Sequence, residues 1–278
     1  MSHILRNAIC GLSILLGGWT ALSAQSPTND GPRLVWSEEF DYQGAPDTTH
    51  WAYDLGDGCP QICGWGNNER QFYTTDLANA RVAEGQLVIE AHQTDDPEQP
   101  YTSARLVTRG KAAWTYGRIE VRAKLPRGRG TWPAIWMLPA EARYGGWPRC
   151  GEIDIMEHVG YNPLKVFGTV HTEAYNHMYG TQQGDSILVA DAADAFHVYA
   201  IEWRPDGIEF LVDGEVYHHF PRYSEDPAAW PFDQPFYLIL NLAVGGNWGG
   251  RHGVSPHIWP QQLQVDYVRV YELPAEGR

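Results

Sequence analysis

The chain has 278 residues, 43% of them hydrophobic and 19% charged, and Gly and Pro together stay near about 17%, below the share that marks low-complexity disorder. It carries 12 Trp, 15 Tyr and a formal net charge of −14. That balance works against nucleic acid as a partner, because phosphate contacts need an excess of Lys and Arg, and an anionic membrane surface is disfavoured on the same ground. Aromatics at this density either fill a core or line a surface that grips something uncharged with an apolar face.

Residues 1–24 read as a secretory signal: Arg6 supplies the positive charge, residues 9–16 an apolar stretch, and A-L-S-A at 21–24 a small-residue exit. The apolar run is too short, and too broken by Gly17 and Gly18, to span a bilayer. Cleavage would remove Trp19, one Arg and no acid, taking the net charge from −14 to −15 and leaving a secreted or periplasmic protein with no membrane attachment. Residues 25–32 are polar and turn-rich, a linker. Cys59, Cys63 and Cys150 remain after cleavage. Export permits a disulfide, but three thiols allow three pairings and always leave one over. The C-x3-C spacing lacks the second ligand pair that a zinc site needs.

From residue 33 onward the chain reads as strand after strand. Residues 87–91, 118–123 and 196–203 are β-rich, and the second alternates apolar and charged side chains with period two. Residues 208–212 and 215–217 flank Asp213-Gly214, a favourable hairpin turn. Residues 237–242 and 265–271 close the series. No long amphipathic helix, internal repeat or composition break occurs, so residues 33–274 read as one all-β domain, a two-sheet sandwich. Trp36, Trp203 and Trp259 are expected to pack the sandwich, and His218-His219 to lie on a solvated strand.

G-E-I-D-I-M-E-H at 151–158 concentrates the chemistry. In a regular strand Glu152, Asp154 and Met156 share a face and Glu157 points away. One extra residue, a β-bulge around Ile155-Met156, returns Glu157 to the face of the other acids. The two Glu are then about 13 Å apart along the backbone at ~3.3 Å per step, and an inward lean of roughly 4 Å each leaves about 5 Å between carboxyls, the range of a retaining glycosidase. An acidic strand edge usually carries Lys partners and a calcium loop Gly or Asn turns; this segment has neither inside it. Three clustered acids repel, so at least one should hold a proton near neutral pH, as a general acid must.

These residues resemble glycoside hydrolase family 16, and within it the bacterial laminarinase-like endo-β-1,3-glucanases, whose E-I-D-I-M-E form carries the extra residue. The similarity runs from about Leu34 to Glu272 and includes G-N-N-E at 66–69, G-T-W-P-A-I-W-M at 130–137, G-T-V-H at 168–171 and L-N-L-A-V-G-G at 240–246. It implies a β-jelly roll of two curved antiparallel sheets with a concave cleft, and endo-hydrolysis of β-1,3-glucans with retention. Glu152 looks like the nucleophile, Glu157 the acid/base and Asp154 the assisting carboxylate. Trp132 and Trp136 look like walls of the sugar subsite at the cleavage point, since an indole packs on the C–H face of a glucosyl ring. His171 looks like a polar contact on the leaving-group side, Asn67 and Trp147 like glycone-side contacts, and Trp248 like a further sugar contact. No cofactor is expected for catalysis. The family often carries a structural calcium, matching here main-chain oxygens near Glu39 and Gly85 and the Asp266 side chain; a water in that place is the alternative. A monomer acting on a β-glucan polysaccharide is implied. Rival readings are a mixed-linkage glucan or galactan hydrolase, a transglycosylase, and a lectin-like sandwich without catalysis.

Overall fold

The computed structural model describes residues 31–274. The expected signal segment, and all but the last two residues of the expected linker, lie outside it. The first strand begins at Arg33, and from there two sheets form the layers of a sandwich, antiparallel as expected except that Gln71–Tyr73 pairs in parallel with Tyr101–Ser103 at one edge.

The seven-stranded sheet runs, edge to edge, through Gln183–Leu188, Lys165–His171, Glu152–Glu157, Thr131–Pro139, Phe236–Val244, Arg105–Val107 and Ala52–Asp54. The ten-stranded sheet runs from the hairpin Gly207–Val212 and Glu215–Pro221 through His197–Arg204, Gly117–Lys124 and Gln261–Glu272 to Gln86–Gln93 and beyond. Each β-rich segment read from the sequence lies in or overlaps one of these strands.

Hydrophobic side chains from both inner faces meet in one core, including Ile119, Val121, Tyr199, Ile201, Trp203 and Phe210 from one sheet and Ile135, Met137, Ile153, Leu238 and Leu240 from the other. The strand Phe236–Val244 is buried at all nine positions. Its even-numbered side chains join this core, whereas Tyr237 and Ile239 pack with Val107 in a second small cluster against Trp136. The outer face of this sheet is therefore covered at its centre, which is where the polar site sits.

The hairpin turn forms as the dipeptide dictates: Val212 pairs with Glu215, and Asp213 and Gly214 both take positive φ, 51° and 83°. His219 is exposed, but His218 is half-buried, with its ring 5.3 Å from that of Phe210. The expectation of a solvated histidine pair thus holds for one member only, because a register shift between Phe210 and Leu211 turns His218 onto the ring. Trp203 is fully buried, and Trp36 and Trp259 pack half-buried against the core. Cys59 and Cys63 form the disulfide and Cys150 is a buried free thiol.

Candidate active site

The acid strand is central, paired with Thr131–Pro139 on one side and Lys165–His171 on the other. It is entered through Gly151, whose φ is +87° and where a Cβ would meet Pro231 Cγ at 2.7 Å, so only glycine fits. Asp154 pairs with Trp136 and Met156 with Ile135, which leaves Ile155 as one residue too many. That is the expected bulge. Ile155 and Met156 both enter the core, at 1% and 0% exposure, and Glu157 returns to the outer face beside Glu152 and Asp154.

Around these acids the hydrogen bonds are few. Trp132 Nε1 donates to Glu157 Oε1 at 2.9 Å, and the Trp147 side chain donates to Glu152. His171 lies directly opposite Glu152, with Nε2 3.3 Å from Asp154 Oδ2 and 3.8 Å from Glu152 Oε1. Asp154 Oδ2 and His171 Nδ1 have no hydrogen-bond partner. Among the described residues no Lys or Arg forms an ion pair with Glu152, Asp154 or Glu157. Burial therefore dominates their titration. It pushes each carboxyl up to about 8, and the charge of Asp154 adds to the rise at both Glu152 and Glu157. Near neutral pH the group holds protons, which a donor to a leaving oxygen requires and an attacking carboxylate must first shed. One ligand atom from each of Glu152, Asp154 and His171 lies within 4.8 Å of the other two, so this triad could also hold a metal ion.

Aromatic residues gather on both sides. The Trp132 ring meets Trp248 edge-on at 5.6 Å, and Trp248 in turn meets Phe167 at 5.1 Å. Gly246, with φ +75°, lets the chain pass where a Cβ would sit 3.0 Å from the Trp132 ring. Trp136 donates from Nε1 to Asn241 Oδ1 at 2.7 Å, and its ring faces the Arg105 guanidinium at 4.7 Å. Asn67 donates to Glu69 at 3.4 Å, and its carbonyl accepts from the Asn247 backbone at 2.7 Å, which ties its loop to the one bearing Trp248. Trp147 is 38% exposed and packs on His177 and His171, with ring centroids 5.1 and 6.1 Å away. The contacts thus group Trp147 with His171 and group Asn67 with the Trp248 loop.

The profile of "Glycosyl hydrolases family 16" matches residues 67–269. The chain belongs to that family. A "Beta-glucanase" of Rhodothermus marinus is 56% identical over 98% of this chain and 96% of its own length. The solved laminarinase of Rhodothermus marinus superposes with a TM-score of 0.83 at 58% identity, covering 87% of this chain and 97% of that one. The structure of SCLam, described as a non-specific endo-β-1,3(4)-glucanase, gives a TM-score of 0.81 at 44% identity, covering 90% of this chain and 94% of that one. The fold is accordingly the jelly roll of family 16.

Three further residues join the site. Glu69 sits half-buried beside Asn67, accepts from Gln71 Nε2 at 2.7 Å, and is held above the usual carboxylate range by desolvation; its charge adds to the rise at Glu157. Its position one residue after Asn67-Asn68 was the available signal. Arg105 lies between the Trp65 and Trp136 rings, 4.5 and 4.7 Å away, and pairs with Asp54 at 3.1 Å. His177 stands over His171 with centroids 5.1 Å apart. Neither Arg105 nor His177 carries a local pattern, since their partners come from distant segments.

Proposed function

We propose that this chain is an endo-acting β-1,3-glucan hydrolase of the laminarinase type, working as a monomer by double displacement with retention. The observation that carries this reading is the bulge at Ile155, which sets Glu152 and Glu157 on one outer face with Asp154 between them and, among the described residues, no Arg or Lys paired with them. Glu152 attacks the anomeric carbon while Glu157 gives its proton to the departing glycosidic oxygen. Glu157, now a carboxylate, takes a proton from water, whose oxygen displaces Glu152 and restores the original anomer. The Trp132 indole binds one oxygen of Glu157, which leaves the other to carry the proton. Asp154 and His171 position Glu152, and Trp132, Trp136, Asn67, Trp147 and Trp248 contact the glucan. The names of the Rhodothermus marinus relatives support the substrate. Incubation with laminarin, with product anomers followed by NMR, tests the reading: β-anomer and a ladder of oligosaccharides are expected, whereas the α-anomer or no cleavage refutes it.

Similarity to SCLam supports a second reading, in which mixed-linkage β-1,3-1,4-glucan is also cleaved. Equal rates on lichenan and laminarin would favour it. Export is supported by the composition of residues 1–24, and a mature chain beginning at Gln25 is the expected result of N-terminal sequencing.

We also propose a structural calcium on main-chain oxygens near Glu39 and Gly85 and the Asp266 carboxylate. Strand Gln261–Glu272 pairs Val265 with Leu87 and Val268 with Glu38, which supports a convergence of those three segments around Asp266. Arg122 takes Asp266 Oδ2 at 2.6 Å and Arg269 takes the Glu39 carboxylate. The ion would therefore rest on the main-chain oxygens and the remaining oxygen of Asp266.

A further inference from the structure

We propose that Glu152, Asp154 and His171 form a binding site for a transition-metal dication such as Zn2+, and that this ion and the glucan exclude one another. The inhibitory half of the proposal rests on the glycosidase reading above; the binding half does not.

The donor set is one imidazole nitrogen and two carboxylate oxygens. Ligands about 2.0–2.1 Å from a tetrahedral Zn2+ stand roughly 3.3–3.4 Å from one another. Here His171 Nε2 is 3.3 Å from Asp154 Oδ2 and 3.8 Å from Glu152 Oε1, and all three atoms fall within 4.8 Å. Binding would draw the Glu152 carboxyl inward to close the remaining gap. Asp154 and His171 are 3% and 6% exposed, and Asp154 Oδ2, the atom that faces the imidazole, has no hydrogen-bond partner. A buried acceptor left unmade in this way is an unmet demand for a cation or proton. Once their protons pass to solvent, the two carboxylates balance the charge of a dication, and among the described residues no paired Arg or Lys fills that role. Nitrogen-plus-carboxylate ligation suits Zn2+, Cu2+ or Ni2+, while Ca2+ and Mg2+ favour shells of oxygen alone, which the imidazole here breaks. His171 Nδ1 lacks the outer hydrogen bond that holds the ring in the tightest sites, so affinity should be moderate.

The consequence follows from position. An ion held by Glu152 ties up the carboxylate that would attack the sugar, so bound metal and bound glycoside compete for one side chain. The test is titration calorimetry of the metal-free full chain with Zn2+, alongside laminarin kinetics. One Zn2+ per chain is expected, weakened by at least about 100-fold in His171→Gln and in Asp154→Asn, since losing even an outer-shell partner costs 10–100-fold. His219→Gln, on the exposed hairpin strand, should bind as the parent does. In kinetics, Zn2+ should raise KM without lowering kcat, and Ca2+ or Mg2+ at the same concentration should do neither. No stoichiometric binding, equal binding by His171→Gln, or inhibition that lowers kcat alone would overturn the proposal. Absence of laminarin hydrolysis in metal-free buffer, with Zn2+ binding still lost in His171→Gln, would instead refute the glycosidase reading and leave the metal site standing.

Discussion

The outer faces of the two sheets are built on the same alternation and treat charge in opposite ways. On the ten-stranded sheet Arg118 bridges Glu120 and Glu202 at 2.9 and 3.0 Å, Arg122 pairs with Asp266, and Arg269 grips Glu39 with two hydrogen bonds. On the seven-stranded sheet Glu152, Asp154 and Glu157 have no such cation among the described residues. Among the described residues the basic group nearest them is His171, whose Nε2 lies near the first two. Paired acids are part of the architecture. Unpaired buried acids destabilise the folded state and persist because a reaction uses them.

The largest way to break that contrast is to neutralise each kind of acid and measure turnover. Glu152→Gln and Glu157→Gln should each lower kcat on laminarin by at least ~10²–10⁴-fold with an unchanged circular dichroism spectrum. Glu120→Gln should leave kcat within about twofold, because its partners Arg118 and Tyr271 lie on the opposite layer. Loss of activity in Glu120→Gln would erase the distinction between the faces.

Stability should move the other way. Glu120 is buried and Arg118 nearly so, and Glu120→Gln should cost about 3 kcal/mol in urea unfolding by leaving the guanidinium short of a partner. Glu152→Gln should instead stabilise by about 2 kcal/mol near pH 8. The sign comes from the raised carboxyl. Glu152 ionises near about 8 in the folded protein against an ordinary 4.5, so the folded state holds a proton that the unfolded chain releases. Its contribution is therefore lost as pH rises from the lower value through the higher. The gain in Glu152→Gln should fade toward pH 4 and be greatest at pH 8; thermal melts across that range check it. The smallest effect concerns calcium. Excess Ca2+ at tenfold its dissociation constant should add about 1.4 kcal/mol, a Tm rise of roughly 3–6 °C that EDTA reverses and Asp266→Asn abolishes.

Much of this contrast was legible in the sequence. Alternation in 118–123 and the three acids of 152–157 lie within single strands, where period two converts spacing directly into face. The bulge was legible for the same reason: Ile155 and Met156 are consecutive apolar residues between acids that must share a side. What escaped depends on where distant segments meet. Nothing near Arg105 announces that Trp65 and Trp136 will close on it. His177 follows no strand pattern, and only the folded chain carries it to Trp147 and His171. Pairing among three cysteines was open until the loop at Cys59–Cys63 closed on itself and left Cys150 in the interior.

The extra residue at Ile155 has a mechanical side. Between Asp154 and Glu157 the strand sends two successive side chains inward, so the residue that follows is anchored from below at two points instead of one. The direction in which Glu157 presents its carboxyl is thus inherited from close packing beneath the sheet, where a change of one methylene is felt. Proton delivery and the integrity of the hydrophobic interior are coupled through a single backbone kink. On heating, activity should therefore vanish together with the core rather than ahead of it, and the site has no independent melting point to lose.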